Sequence, residues 1–314
     1  MIILVLKRIK EEGLLNLIKI HLKRKLGIAK LEDENNTLFY LLNNYVDIQK
    51  LPPLKDEATL NFQQCLSALL LIFHRMCKKH GLKYWIDFGT LLGAVRHGGF
   101  IPWDDDIDVA MLREDYDRLI PEMKEELASY GIKIDTSHYI SGLMLSYDRE
   151  NTGVFMDVFP SYEYYTKNDY PEAREELIAA GKKCRRFYRN LINADDVEKI
   201  DVYREKVFSR IKKGSHGMIL LSPEFNYRYL VHTTEDIFPL QELNFGDWTF
   251  YAPHLTDSYL KKTYGSNYMG FPRTGVEHHP DKSGVLGKDV ASSHGLDLKI
   301  IYNELLTIAN KIGE

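Results

Sequence analysis

Four aspartates fall within five positions of the segment FIPWDDDIDVAM: Asp104, Asp105, Asp106 and Asp108. The run ends in DIDVAM, which alternates polar and apolar residues in the manner of a half-buried strand. Side chains two apart on a strand share a face, so Asp106 and Asp108 project together with their carboxylates close. Two like charges held together call for a cation, and hard oxygen donors suit Mg²⁺ or Mn²⁺, which bind through one or two carboxylates and the phosphates of a substrate. Asp157 lies in a second strand-like segment, GVFMDVFP, among apolar neighbours. An ionised carboxylate there would be costly without a partner, which makes Asp157 the candidate third ligand. Asp104 and Asp105 read as helix caps or solvated loop carboxylates.

Upstream, DFGTLLGAVRHGGF places Gly89 and Thr90 at the start of a short helix. Unbonded amides and the helix dipole favour a phosphate there, and Arg96 is placed to face it. Trp103 has two readings, stacking on a base or sugar and plain packing. Each signal alone occurs in unrelated proteins, and their combination points to metal-assisted phosphoryl or nucleotidyl transfer.

The elements that must position these residues follow from periodicity. Phe62, Leu66, Leu69, Leu70, Phe73 and Cys77 recur at helical spacing over Thr59–Lys79, and Gly81 ends that helix. LKYWID reads as a short buried strand. Residues 113–131 read as a helix with a break near Pro121. GLMLSYD and GVFMDVFP follow as strands. Residues 171–213 read as helical, with Lys182, Lys183, Arg185, Arg186 and Arg189 on a solvated face. The expected class is α/β (α+β), a catalytic core with a small mixed sheet and helical additions at both ends. The expected parts are an N-terminal helical segment over residues 1–55, the core over 56–165, and a mixed C-terminal part over 166–314 that completes the site and the acceptor region.

With 314 residues, 44% of them apolar, the chain can bury a sizeable core. A net charge of -4 argues against nucleic acid as a partner. Three cysteines are too few for a disulfide framework and fit a reducing cytoplasm. No apolar run is long enough to span a bilayer. Residues 1–30 hold eight Lys or Arg against two Glu, with Leu14, Ile18, Leu22 and Leu26 at helical spacing. This stretch reads either as an interfacial helix on an anionic membrane, which would put the chain on its inner face, or as a terminal helix packed on the core.

The block YWIDFGTLLGAVRHGGFIPWDDDIDVAM closely resembles the signature of the LicD family, which includes the fukutin-related proteins. FMDVFP is similar to that family's later Asp-containing strand, and YLKKTYGSNYMGFP to its C-terminal Tyr-Gly segment. The resemblance implies a nucleotidyltransferase fold and transfer of a phosphorylated alcohol, typically phosphocholine from CDP-choline, onto a teichoic acid, lipopolysaccharide or capsule sugar. It implies Asp106, Asp108 and Asp157 as catalytic metal ligands, and Gly89, Thr90 and Arg96 as donor contacts, with Trp103 and Asp105 beside them. Phe88 stands where the family often has Gly. A choline group would need aromatic faces, for which Tyr162, Tyr164 and Tyr165 are the nearest in sequence to Asp157. Asp157 is the candidate acceptor base, with His278 and His279 as alternatives. The same carboxylates would also serve CDP-ribitol, CDP-glycerol or CDP-ethanolamine, or nucleotidyl transfer. A non-catalytic, membrane-associated nucleotide-binding scaffold has no need of three such ligands.

Overall fold

A computed structural model describes residues 22–51, 56–136, 142–189, 197–211, 213–221, 230–272 and 287–312. Most of the basic N-terminal stretch, including Leu14 and Ile18, and the pair His278 and His279 lie outside the described residues. The chain divides into two units, one of residues 1–51 with 269–275 and one of residues 52–268 with 276–314.

In the smaller unit, helix α1 (Ile28–Tyr45) follows Gly27, whose φ of 73° only glycine adopts without strain. None of its residues is buried. Leu31, Leu38, Leu41 and Tyr45 are exposed and recur at helical spacing. A 3₁₀ turn, Ile48–Lys50, follows.

The larger unit opens with α2 (Glu57–His80), capped by the Asp56 carboxylate on the Ala58 amide and ended by Gly81 at φ 66°. The sequence predicts one buried face for this helix. The structure buries more: Cys65, Ala68, Leu71, Ile72 and Met76 join the six predicted residues. The reason is that α2 is the central helix, packed on both a sheet and a C-terminal helix.

Then come β1 (Trp85–Ile86), α3 (Phe88–His97), β2 (Asp108–Leu112), α4 (Arg113–Ser129), β3 (Ile132–Asp135), β4 (Leu143–Tyr147), the single turn α5 (Arg149–Thr152) and β5 (Val154–Thr166). After these lie α6 (Tyr170–Arg189), α7 (Val197–Phe208), β6 (His216–Leu221), β7 (Val231–Thr233), α8 (Thr234–Ile237), the hairpin β8 (Gln241–Phe245) and β9 (Trp248–Ala252), α9 (Thr256–Tyr264), α10 (Gly287–Ser293) and α11 (Leu298–Ile312). The fold is α+β with a mixed sheet and helical additions. Among the described residues no helix is long and apolar enough to cross a membrane.

Among the described residues the larger sheet has seven strands. β1, β2, β5, β4 and β3 lie side by side in that order, and β6 and β7 extend it along the C-terminal half of β5. Among the described strands of this sheet, β2 and β5 run parallel and the other pairs are antiparallel. Strand β5 is the organising element, since its first half forms the centre of the sheet and its second half carries β6. A small second core fills in where α6 and α7 cover β6, built from residues such as Leu177, Cys184, Phe208 and Leu220.

Some expectations change. Helix α4 runs through Pro121 without a break. Proline there removes one backbone hydrogen bond, whereas Tyr116, Leu119, Met123 and Leu127 are buried on both sides of it and hold both halves in place. LKYWID contributes only Trp85–Ile86 to the sheet, and Asp106 precedes β2 instead of lying on it. Strand β3, IKID, is an addition to the expected elements; its buried Ile132 and Ile134 alternate with exposed Lys133 and Asp135 over too short a span to stand out.

Candidate active site

The register of the central strands brings the acidic residues together. Asp108 opens β2 and pairs directly with Asp157 across the parallel β2–β5 ladder. Directly opposed residues point to the same face, so the two carboxylates are neighbours. On the other side of β2, Trp85 pairs with Ala110 and Ile86 with Val109, which carries Asp87 to the level of Asp108; the Asp87 amide donates to the Asp108 carbonyl at 3.0 Å. Asp87, Asp108 and Asp157 thus form one row across three strands, and Asp106 and Asp104 approach from the loop before β2.

The electrostatics agree with that geometry. The Asp108 carboxyl is pushed well above the usual carboxylate range, first by burial and then by the charges of Asp106, Asp157, Asp104 and Asp87. Asp87 is fully buried and pushed up to about 6 by burial, despite hydrogen bonds that favour its charge. Its Oδ1 accepts from the Phe88 amide at 2.7 Å and from the Tyr259 hydroxyl at 2.7 Å, while its Oδ2 accepts no hydrogen bond among the described residues. The Trp85 indole N–H donates in turn to the Tyr259 oxygen at 3.3 Å.

Helix α3 and the loop after it shape the rim. Asp87 caps the helix, and the Leu91 amide makes the first helical bond to the Asp87 carbonyl. A Cβ at Gly89 would stand 2.7 Å from Asp104 Oδ2, so the Asp104 carboxylate lies against the bare Cα of Gly89, at the helix N-terminus. At Gly93 a Cβ would stand 2.4 Å from the Gly99 carbonyl, so the returning loop can lie on the helix only if position 93 has no side chain. Gln63 of α2 fixes the far side of that loop, donating to the Asp104 carbonyl at 2.8 Å.

The predicted residues take these places. The Thr90 hydroxyl is buried and accepts the Asp108 amide at 2.9 Å, so it positions the first residue of β2. Arg96 is 5% exposed; it donates to the Tyr268 carbonyl at 3.0 Å and to His97 Nε2 at 3.0 Å. Burial lowers its pKa, while Tyr264 and Asp104 act the other way, which sets the guanidinium near Asp104. Trp103 is half-buried in the loop. Asp105, read from sequence as solvated, is buried.

The three tyrosines after Asp157 do not form one cage. Tyr162 and Tyr164 share the face of β5 opposite to Asp157 and Tyr165. Tyr162 is occupied by Arg113, which donates to its hydroxyl at 3.0 Å, and by the Arg204 guanidinium 4.2 Å from its ring centroid. Tyr164 stacks on Phe208 at 4.2 Å, and Tyr165 is exposed.

Sequence reasoning misses Asp87, Asp104 and Tyr259 as members of this constellation. A signal is present for two of them: Asp87 ends an otherwise buried strand, and Tyr259 opens the segment YLKKTYGSNYMGFP. That segment supplies Tyr259 to Asp87, and both Tyr264 and the Tyr268 carbonyl to the surroundings of Arg96.

A divalent cation fits this donor set by chemistry. The carboxylates are hard ligands, and Asp108 sits in a concentration of negative charge that a cation would relieve. Among the described residues no three His, Cys, Asp or Glu side chains are already arranged around one point, so binding would require carboxylates to turn inward.

Residues 81–192 match the family model described as LicD/FKTN/FKRP, nucleotidyltransferase domain. The chain is 52% identical over 66 residues to the lipopolysaccharide cholinephosphotransferase LicD of Haemophilus influenzae, a match covering 20% of this chain and 24% of that protein. It is 31% identical over 108 residues to the mouse (Mus musculus) ribitol 5-phosphate transferase FKRP, covering 31% of this chain and 21% of the relative. An uncharacterised protein of Rickettsia typhi is 34% identical over 108 residues, or 31% of this chain and 34% of its own length. The chain therefore spans about a fifth to a third of the length of these relatives.

Proposed function

We propose that this chain, a LicD-family protein through its residues 81–192, transfers a phosphorylated alcohol from a CDP-linked donor to a hydroxyl of a cell-surface glycan. The observation that carries this reading is the pairing of Asp108 with Asp157 across β2 and β5, with the charges of Asp106 and Asp104 close by. Phosphocholine from CDP-choline is the first choice, since the Haemophilus relative is named a cholinephosphotransferase. Ribitol phosphate from CDP-ribitol is the second; it is favoured by the dispersal of Tyr162, Tyr164 and Tyr165, because a polyol needs no aromatic cage.

In this reading Asp106, Asp108 and Asp157 hold Mg²⁺ or Mn²⁺. The ion would supply positive charge to the donor diphosphate and to the departing CMP. The acceptor oxygen forms a bond to the phosphorus of the transferred group, and the bond from that phosphorus to CMP breaks, CMP leaving with the electron pair. Gly89 and Thr90, at the first turn of α3, offer amides without helical partners and the positive end of the helix dipole to the donor phosphates. Arg96 adds a fixed cation behind Asp104. Trp103 and Asp105 belong to the loop that would close over the nucleotide. Asp157 is the proposed acceptor of the hydroxyl proton.

The test is CMP release from CDP-choline, CDP-ethanolamine, CDP-ribitol and CDP-glycerol, with Mg²⁺ present or chelated. Metal-dependent release from one donor is expected. No release from any of them, with mixed envelope glycans as acceptor, would leave direct nucleotidyl transfer or a nucleotide-binding scaffold. The basic residues 1–30 and the exposed stripe of α1 support a peripheral position on an anionic membrane face. Deleting residues 1–25 is expected to release the protein from anionic vesicles, and unchanged co-sedimentation would refute that placement.

A further inference from the structure

A pocket of about 690 Å³ opens where the C-terminal half of α2 meets α11 and β9, within the larger unit. Its lining includes His74, Arg75, Lys78, Lys79, Trp248 and Lys311, and, among the described residues, no Asp or Glu. That volume is in the range of sites that hold small molecules.

The cations differ in how far they are already engaged. Arg75 ties α2 to α11 through the Ala309 carbonyl and the Asn310 side chain. Lys79 is paired with Glu126 at 2.7 Å. Lys78 and Lys311 are exposed, and neither is ion-paired among the described residues. His74 shares a hydrogen bond with the Tyr84 hydroxyl at 2.8 Å; burial, then Lys78 and Arg75, push its pKa down to about 4, so it adds no charge at neutral pH. Three cations that keep donor capacity thus line a cavity to which Trp248 also contributes.

The pocket is separate from the carboxylate site. Gln63, which holds the Asp104 carbonyl, and Arg75 to Lys79 belong to one straight run of α2. The intervening 12 to 16 residues correspond to roughly 18–24 Å at the α-helical rise.

We infer that this pocket binds a phosphate-bearing saccharide. Lys78, Lys311 and Arg75 receive the phosphate, whose charge of about −1.5 to −2 matches several cations better than one. Trp248 offers its ring to the apolar face of the sugar. Displaced along α2 from the loop that carries Asp104, the pocket would hold the anionic body of an extended acceptor while its free hydroxyl reaches Asp157. That last step rests on the proposed transfer to a glycan; the binding itself does not.

The experiment is equilibrium dialysis of the full chain against glucose 6-phosphate, glucose and inorganic phosphate, using wild type, the double variant Lys78→Glu with Lys311→Glu, and Asp106→Asn. Both lysines are exposed, so the double variant should fold. Saturable binding of glucose 6-phosphate is expected, weaker for glucose and for inorganic phosphate, unchanged in Asp106→Asn, and reduced about tenfold or more in the double variant. Three results would overturn the inference: no binding of glucose 6-phosphate, binding as tight for inorganic phosphate as for the sugar phosphate, or binding lost in Asp106→Asn and kept in the double variant. None of these depends on CMP release, so a failure here and a failure of the transferase reading are read separately.

Discussion

Asp87 offers the sharpest test of the carboxylate row. Replacing it by Asn keeps the oxygen that accepts from Phe88 and Tyr259, and removes the charge. In the fold Asp87 ionises near 6, against an ordinary value of 3.8. Below pH 3.8 the carboxyl is protonated in both folded and unfolded chains and has no net effect. Between 3.8 and 6 the unfolded chain ionises first, so stability falls as pH rises; above 6 the loss is complete, at roughly 3 kcal/mol. From about pH 4.5 to about pH 7.5 the expected loss from this group is about 2 kcal/mol. The Asn variant lacks it, and by removing one of the charges facing Asp108 it also relieves that group, which flattens the profile further. At the lower pH the folded Asp87 is protonated, so both proteins carry an uncharged group at this position and are expected to lie closer in stability. Urea unfolding in the presence of a chelator, followed by tryptophan fluorescence, measures both proteins at both pH values. The difference between them should move by about 2 kcal/mol in favour of the Asp87→Asn variant as pH rises. Parallel pH profiles would refute the argument that burial favours the protonated form of Asp87 beside Asp108.

Asp106→Asn should lower CMP release about a hundredfold or more while circular dichroism stays unchanged; a variant that keeps most of its activity would remove Asp106 from the metal set. Gly93→Ala should cost about 2–3 kcal/mol in thermal unfolding, because its Cβ would stand 2.4 Å from the Gly99 carbonyl and 2.9 Å from the Ile101 amide nitrogen, both backbone atoms that cannot step aside. Gly89→Ala should behave differently: its Cβ meets the end of the Asp104 side chain, which can swing away, so stability should change by less than about 1 kcal/mol while CMP release falls about tenfold.

How much of this is legible from sequence depends on the range of the interaction. The buried face of α2 and the Gly81 stop are local signals, and they read correctly; the alternation read over DIDVAM does not hold, since β2 starts only at Asp108 and buries Val109, Ala110 and Met111 in succession. Asp106, Asp108 and Asp157 can be nominated from type and neighbours. Their juxtaposition cannot, because the register of β2 on β5 is fixed by a parallel pairing between segments far apart in the chain. Within the DDD run, composition cannot tell which carboxylates turn inward, and the structure buries Asp105 and sets Asp104 on Gly89. The tyrosines after Asp157 mislead for a related reason: nearness in sequence says less than strand alternation, which sends Tyr162 and Tyr164 away from the site. The pocket at Lys78 and Lys311 is out of reach altogether, since 232 residues of chain lie between the two lysines and only the packing of α11 on α2 unites them.

Phe88 joins the local and long-range levels. The turn from β1 into α3 places it at φ 42°, the left-handed region, where glycine is the residue of least strain. A non-glycine residue in that region bears a strain of about 1–2 kcal/mol. What offsets it is the contact with Phe159, ring centroids 5.6 Å apart at 79°, an edge-on pairing of about 0.5–1.5 kcal/mol beyond the area it buries. Phe159 lies two residues after Asp157 on the same face of β5 and opposite Ala110 of β2. A phenylalanine here therefore gives up the backbone ease of glycine and provides an aromatic wall beside the Asp108–Asp157 pair. An apolar wall lowers the local dielectric and strengthens the charge interactions among these carboxylates and with any cation they hold.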